Sequence, residues 1–174
     1  MKRVSFDEVT PRGPADETIP AGAMADSVAA ARQLGYALDV EGFSLNYFEL
    51  APGQSSAHSM HKHPVQEEVF VVLDGEVQVE TPSGESDLHV EADEAVRVPP
   101  DTFQFVVNRS DTTASILALG APREYQDESR YLVDCPDCGG LTEQTFDVER
   151  EDGESQAILC ECSECGGESH RIQL

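Results

Sequence analysis

All five cysteines of this 174-residue chain fall between positions 135 and 165. Four of them make two knuckles, Cys135-Pro136-Asp137-Cys138-Gly139-Gly140 and Cys162-Ser163-Glu164-Cys165-Gly166-Gly167. Thiolates spaced in this way bracket a tight turn, and the glycine that follows lets the backbone curl so that its amides face the sulfurs. The 23 residues between Cys138 and Cys162 hold two strand-like runs, LTEQTFDV and SQAIL, joined at Glu151-Asp152-Gly153. Two knuckles flanking a hairpin gather four sulfurs into a tetrahedron, the closed structural Zn²⁺ set of a zinc ribbon, though iron fits the same cage. An odd cysteine count and tight clustering argue against a disulfide scaffold. Cys160 is expected as a packed thiol, although it shares a strand face with Cys162 and could replace it as a ligand. A segment of this size buries too little apolar surface to fold alone, so metal should supply most of its folding free energy, roughly 10 kcal/mol or more. A closed site is not catalytic, and residues 141–174 hold no Lys/Arg cluster. A protein contact or a structural role suits the ribbon better than nucleic acid.

A second group with chemical potential is His61-Lys62-His63-Pro64-Val65-Gln66-Glu67-Glu68. Imidazoles two apart in an extended segment project to one side. Pro64 breaks that segment and Glu68 opens the next strand. Two imidazoles and a carboxylate converging in a barrel mouth form a facial set suited to Fe²⁺, Mn²⁺, Ni²⁺ or Zn²⁺.

These residues must be positioned by strands. The runs FSLNYFEL (43–50), EVFVVL (68–73), EVQVET (76–81), AVRVP (95–99), FQFVV (103–107) and ASILAL (114–119) all have period two. Asp74-Gly75 between two such runs marks a hairpin, and Pro82-Ser83-Gly84 and Pro99-Pro100-Asp101 mark turns. Short strands at such intervals predict a mainly β antiparallel sandwich or barrel. Residues 1–39 read as an N-terminal arm with a short helix over 24–34, capped at Asp26 or Ser27 and stopped at Gly35. Residues 40–121 read as the barrel, 122–133 as a linker and 134–174 as the ribbon.

With Gly53, His61-x-His63, Glu68 and Gly75, followed by Asp93, Pro99-Pro100-Asp101, Gln104 and Asn108, the chain resembles the cupin superfamily over roughly residues 40–120. That family's first motif runs Gly, His-x-His, Glu, Gly, and its second runs Gly, Pro-x-Gly, His, Asn. The resemblance implies a double-stranded β-helix, or jelly-roll barrel, with a metal on His61, His63 and Glu68. Asp93 and Asp101 replace turn glycines, a mild change because Asp tolerates unusual backbone angles. Gln104 replaces the last metal-binding His. Its carbonyl can ligate, more weakly than imidazole, or simply hydrogen-bond in the cavity. As a whole the chain is similar to small haloarchaeal cupin proteins with a C-terminal zinc ribbon.

Other polar residues are expected in plainer roles. His58 reads as a loop histidine, Glu67 as a solvated charge and Arg97 as a surface ion-pair partner. His89 and His170 have no partner in sequence, and Tyr47 and Phe105 suit core or cavity lining. The net charge is −23, from 34 Asp+Glu against 11 Lys+Arg, of which only Lys2 and Lys62 are lysines. Such an acidic shell on a chain that is 39% hydrophobic reads as folded and tuned to concentrated salt, in the style of salt-loving archaea. With no long apolar run and no leader signature, a cytoplasmic protein without membrane contact is expected.

Hydrolase and phosphate-loop readings fail, because no G-x-S-x-G elbow and no Gly-rich loop with Lys occurs. Three functions remain. The barrel is a metal-dependent enzyme on a small molecule, of dioxygenase or isomerase type; or it captures a small ligand while the ribbon reports to a protein partner; or it is an interaction module with a vestigial site. Pairing into a homodimer through edge strands, with residues 1–40 exchanged, is a further expectation.

Overall fold

The computed structural model describes residues 1–11, 28–123, 129–151 and 154–173. In chain order the first elements are β1 (Ala31–Arg32), α1 (Leu34–Ala37), β2 (Ser44–Leu50), β3 (His61–Lys62), β4 (Glu67–Asp74), β5 (Glu76–Glu80) and β6 (Leu88–Glu91). There follow β7 (Ala95–Val98), β8 (Phe105–Val107), β9 (Ala114–Ala121), β10 (Arg130–Cys135), β11 (Gly140–Glu151), β12 (Glu154–Cys162) and β13 (Glu168–Gln173). One sheet has the order β1-β2-β9-β4-β7 and a second the order β6-β5-β8. They enclose a core of Phe48, Leu50, Phe70, Val72, Val77, Val79, Val106 and Ile116. The expected alternation is realised most cleanly in β9, where every second residue from Ala114 is buried. Full burial of a Leu50 or Ile116 side chain contributes about 1.5–3 kcal/mol.

The turns are held by the residue types their angles require. Gly75 has φ +73°, and a Cβ there would lie 2.9 Å from both the Ala114 Cα and the Thr113 carbonyl oxygen. Asp93 (φ 69°) and Asp101 (φ 57°) adopt the left-handed conformation at the two places where the resembled motif has glycine. Asn108 is fully buried. Its Nδ2 donates to the carbonyls of Leu50 and Thr112, both at 2.7 Å, and its Oδ1 accepts from the Ser110 amide at 2.9 Å. It thereby ties the end of β2 to the loop that leads into β9.

Two expectations change. The helix read over 24–34 begins at positions 24–27, outside the described residues; within them Ala31–Arg32 pairs with β2 and the helix runs Leu34–Ala37, with Gly35 inside it. Leu34 is buried, so packing on the barrel overrides the stop signal. The arm's early residues also lie on the barrel: Phe6 meets Tyr47 at 4.9 Å and Arg32 Nη1 donates to the Val9 carbonyl at 2.9 Å. The described residues of the arm therefore pack on the barrel strands β1 and β2.

The linker read over 122–133 is the largest difference. Residues 130–133 belong to β10, which pairs with β11 on one side and with β3 on the other. The third sheet is therefore β13-β12-β11-β10-β3, and its last strand carries His61. The ribbon is not an appendage on a tether. Its sheet ends in the barrel's own first motif. Lys62, one of the chain's two lysines, reinforces the seam by pairing with Asp101 of the barrel at 2.8 Å and Glu143 of β11 at 2.9 Å. No helix among the described residues is long and apolar enough to cross a membrane.

Candidate metal centres

The four cysteines meet as the spacing predicts. The Sγ atoms of Cys135, Cys138, Cys162 and Cys165 all lie within 4.8 Å of one another. Cys135–Cys165 and Cys138–Cys162 are each 3.8 Å apart. A thiolate–zinc bond of about 2.3 Å gives a sulfur–sulfur edge of about 3.8 Å in a regular tetrahedron, so the cage has the right size. Each knuckle closes with an amide bond, Gly139 to the Cys135 carbonyl at 2.9 Å and Gly166 to the Cys162 carbonyl at 2.8 Å. Both glycines have positive φ, 78° and 69°. The Thr142 hydroxyl lies 3.2 Å from Cys162 Sγ. That hydroxyl, followed by the amides of Cys165 and Glu164, pulls the Cys162 thiol down to about 6, towards the thiolate that a metal requires. Cys160 stays outside the group; it is buried in register with Phe146 and His170, and burial raises its thiol pKa.

The barrel group is assembled from three directions. His61 lies on β3, His63 just beyond it, and Glu68 at the start of β4. Gln104 comes from the segment before β8, and its backbone pairs with that of His61 in both directions, at 3.0 and 2.8 Å. This bridge puts the two side chains on one face. One ligand atom from each of His61, His63 and Glu68 falls within a common 4.8 Å. His61 Nδ1 lies 3.1 Å from the Ser59 carbonyl and His63 Nδ1 lies 2.9 Å from the Ser129 hydroxyl. With Nδ1 engaged on each ring, the Nε2 lone pairs are left for the site, the arrangement metal-binding histidines use. His63 Nε2 is 3.5 Å from Glu68 Oε2.

The Gln104 carboxamide lies among these atoms. Its Nε2 donates to Glu68 Oε2 at 2.8 Å and is 3.1 Å from His61 Nε2. Its Oε1 is buried without a hydrogen-bond partner. A half-turn of the carboxamide exchanges the two ends, and then the carbonyl joins two imidazoles and a carboxylate as a fourth donor. In one orientation the amide donates hydrogen bonds to the carboxylate and imidazole; in the other its carbonyl completes a donor set for a cation. The electrostatics lean towards a cation. Burial lowers the His61 pKa, and burial together with His61 pulls His63 down to about 4. Burial pushes Glu68 up to about 7. Both imidazoles are thus neutral, and the buried carboxylate lacks the positive partner that would keep it ionised. A divalent ion supplies that charge, and the residues present fit one.

Around this set lie residues that sequence reasoning cast in plainer roles or missed. Both ring nitrogens of His58, the Ser59 hydroxyl and Gln104 Oε1 are buried with no hydrogen-bond partner. His58 is therefore more enclosed than a loop histidine, and burial lowers its pKa. Ser129 and Tyr131 were hidden in the presumed linker. Tyr131 sits 6.0 Å from the His61 ring and hydrogen-bonds with Ser129. The one signal for them was the short alternating run Tyr131-Leu132-Val133. Arg97 and Glu67 pair at the surface at 2.6 Å, as their alternation implies. Glu76, His89 and Glu91 form a third group, of which Glu76 and Glu91 border a depression of about 450 Å³ at the other end of β4. It is solvent-exposed and acidic on an acidic protein, and His89 there simply pairs with Glu76 at 3.1 Å.

Residues 46–120 match the family model described as Cupin domain. Among solved structures, a sugar phosphate isomerase of the cupin superfamily from Silicibacter pomeroyi shares 19% identity with a TM-score of 0.60, covering 99% of this chain and 92% of that one. A polyketide cyclase from Streptomyces resistomycificus shares 24% identity at a TM-score of 0.60, over 79% of this chain and 89% of that one. A Cupin 2 conserved barrel domain protein from Salinispora arenicola shares 20% identity at 0.52, over 70% and 88%. No curated protein sequence matches the chain. These likenesses establish the fold: the barrel is a cupin-type double-stranded β-helix.

Proposed function

We propose, from the premise that residues 46–120 form a cupin domain, that the barrel binds one divalent metal through His61, His63 and Glu68, with the Gln104 carbonyl as a further donor, and acts on a small molecule there. The observation that carries the reading is the convergence of three ligand atoms within 4.8 Å while both imidazole Nδ1 atoms are engaged elsewhere. When bound, the metal supplies Lewis acidity to an oxygen-bearing ligand. The protein's own part is to hold both imidazoles neutral, to keep Glu68 in a desolvated position, and to offer the Gln104 amide to whatever lies beside it. The sugar phosphate isomerase and polyketide cyclase that share the fold make rearrangement of a hydroxyl- or carbonyl-bearing molecule the first chemistry to assay, with oxygen uptake the second; fold alone does not fix the reaction. The cysteine cage is a structural Zn²⁺ site in this reading, and the acidic shell suits the salt-rich cytoplasm of a haloarchaeon.

Protein prepared in high salt should carry two metal atoms per chain, one lost with His61→Ala and the other with a cysteine substitution. A single atom, unaffected by His61→Ala, overturns the reading. The alternative, a ligand-sensing or interaction module with a vestigial barrel site, draws on the two contacts that Gln104 Nε2 makes in the donor set; it predicts that single atom.

Acid should release the barrel metal before the barrel unfolds. Glu68, with a pKa raised to about 7, must lose its proton for metal to bind. Affinity is therefore expected to fall about tenfold per pH unit below 7 and to level off above it, about 1.4 kcal/mol per unit. For the metal-free fold the same shift acts in the opposite sense: a raised carboxylate pKa makes ionisation cost stability as pH climbs from about 4.5 to 7. The depressed His63 offsets this between about 4 and 6.5, and His61 and His58, whose pKa values burial also lowers, act in the same sense. The apo barrel should therefore on balance gain stability as pH rises through that range. Competition with a chelator across this range distinguishes the two behaviours.

A further inference from the structure

The third sheet joins the two centres physically. We propose that the four-cysteine clip is the strut of the barrel site: through β10 it holds Ser129 and Tyr131 against His63 and His61, as positioning residues, so that a metalled clip tightens the barrel's grip on its own metal. The inference rests on the metal-binding reading of the barrel given above.

The path between the centres is continuous. Thr142 Oγ1 contacts Cys162 Sγ at 3.2 Å and accepts a hydrogen bond from Gln144 Nε2 at 3.1 Å. Gln144 is fully buried, lies opposite Tyr131 in the β10–β11 register, and also donates to the Val133 carbonyl at 3.3 Å. Tyr131 stacks on Phe146 of β11 at 3.9 Å with the rings 4° from parallel. On its other side Tyr131 lies opposite His61 in register, and the Leu132 amide donates to the Met60 carbonyl at 2.8 Å. Tyr131 also hydrogen-bonds with Ser129, whose hydroxyl meets His63 Nδ1 at 2.9 Å. From thiolate to imidazole, every step is a hydrogen bond, a ring stack or a strand register.

β10 also needs that support. Cys135 is its last residue, so the clip fixes one end of the strand directly. Its partner on the barrel side, β3, has only two residues and cannot hold a strand in register alone. When the clip lets go, β10 keeps few partners, and the orienting groups on both histidines go with it. Outer groups of this kind are worth about 10–100-fold in metal affinity.

The test uses the full chain in high salt and measures barrel-metal affinity by chelator competition alongside metal count. Ser129→Ala should weaken the barrel metal by about tenfold or more while the cysteine site stays fully loaded, and Ser129→Thr, which keeps the hydroxyl, should restore it. The ¹⁵N signature of His63 should shift from Nδ1-protonated to mixed tautomers in Ser129→Ala, a change that a merely structural loss would not produce. Cys165→Ser, with its clip emptied, should show a comparable fall in barrel affinity. Two metals in the parent with Ser129→Ala and Cys165→Ser both within threefold of it would overturn the strut and leave the metal reading intact. One metal in the parent, bound only by the cysteines, overturns the metal reading and the strut with it.

Discussion

Replacing Cys162 with serine is expected to empty the clip and to unfold the C-terminal sheet while the barrel core stays folded. Cys162 is fully buried, and its sulfur receives the Thr142 hydroxyl at 3.2 Å. A serine oxygen is too hard and too short to take its place among three thiolates. Among the described residues this sheet is otherwise held by the Tyr131–Phe146 stack, the packed Cys160 and Ala157, the Gln144 hydrogen bonds, the Lys62–Glu143 pair and exposed pairs such as Arg171–Glu149. Exposed pairs contribute at most about 1 kcal/mol each, and less in concentrated salt. Structural zinc in small domains is worth roughly 10–16 kcal/mol at neutral pH, far more than those contacts together. Hydrogen exchange reads the outcome. Amides of β11 and β12 should lose protection in Cys162→Ser or after strong chelation, while those of Val72 and Ile116 in the barrel keep it. Protection that persists across β11 and β12 in metal-free protein would show that the sheet stands without its ion.

Gln104→His is expected to raise barrel-metal affinity by about a hundredfold, close to 3 kcal/mol. Position 104 is fixed by the paired backbone bonds to His61, so a histidine there projects into the same donor set. Imidazole is a better donor than an amide carbonyl for iron, nickel and zinc. Gln104→Leu should move affinity the other way, because it removes both the carbonyl donor and the 2.8 Å hydrogen bond to Glu68. Chelator competition on the three proteins gives an ordered series of His, Gln and Leu. No rise with histidine would mean that the donor set does not close around an ion at all.

Much of this could be seen in the sequence, and the reasons are local. β2, β4 and β9 run seven or eight residues each, long enough for period two to declare itself. The cysteine cage was legible because four thiolates at fixed spacing have few other uses. His61, His63 and Glu68 were legible as a set, and Asp93 and Asp101 as left-handed turns. β3 was not, since two residues carry no periodicity. β10 was missed for a different reason. Arg130 and Asp134 make its neighbourhood look like solvated linker, and what makes it a strand is pairing with Lys62 and His61, far away in the chain. Ser129 carries no signal of its own; its role exists only once that pairing has formed.

That shared sheet bears on how such a protein could have been put together. Modules that meet end to end can be exchanged by recombination, each keeping what it needs. Here a break anywhere between β9 and β10 would remove Ser129 and Tyr131 from the histidines they adjoin, and expose the unpaired edge of β3. A lineage that traded its cysteine module for another would have to rebuild the barrel's histidine supports at the same moment. The two halves are therefore expected to descend together, with changes at 129 and 131 matched by changes at 61 and 63.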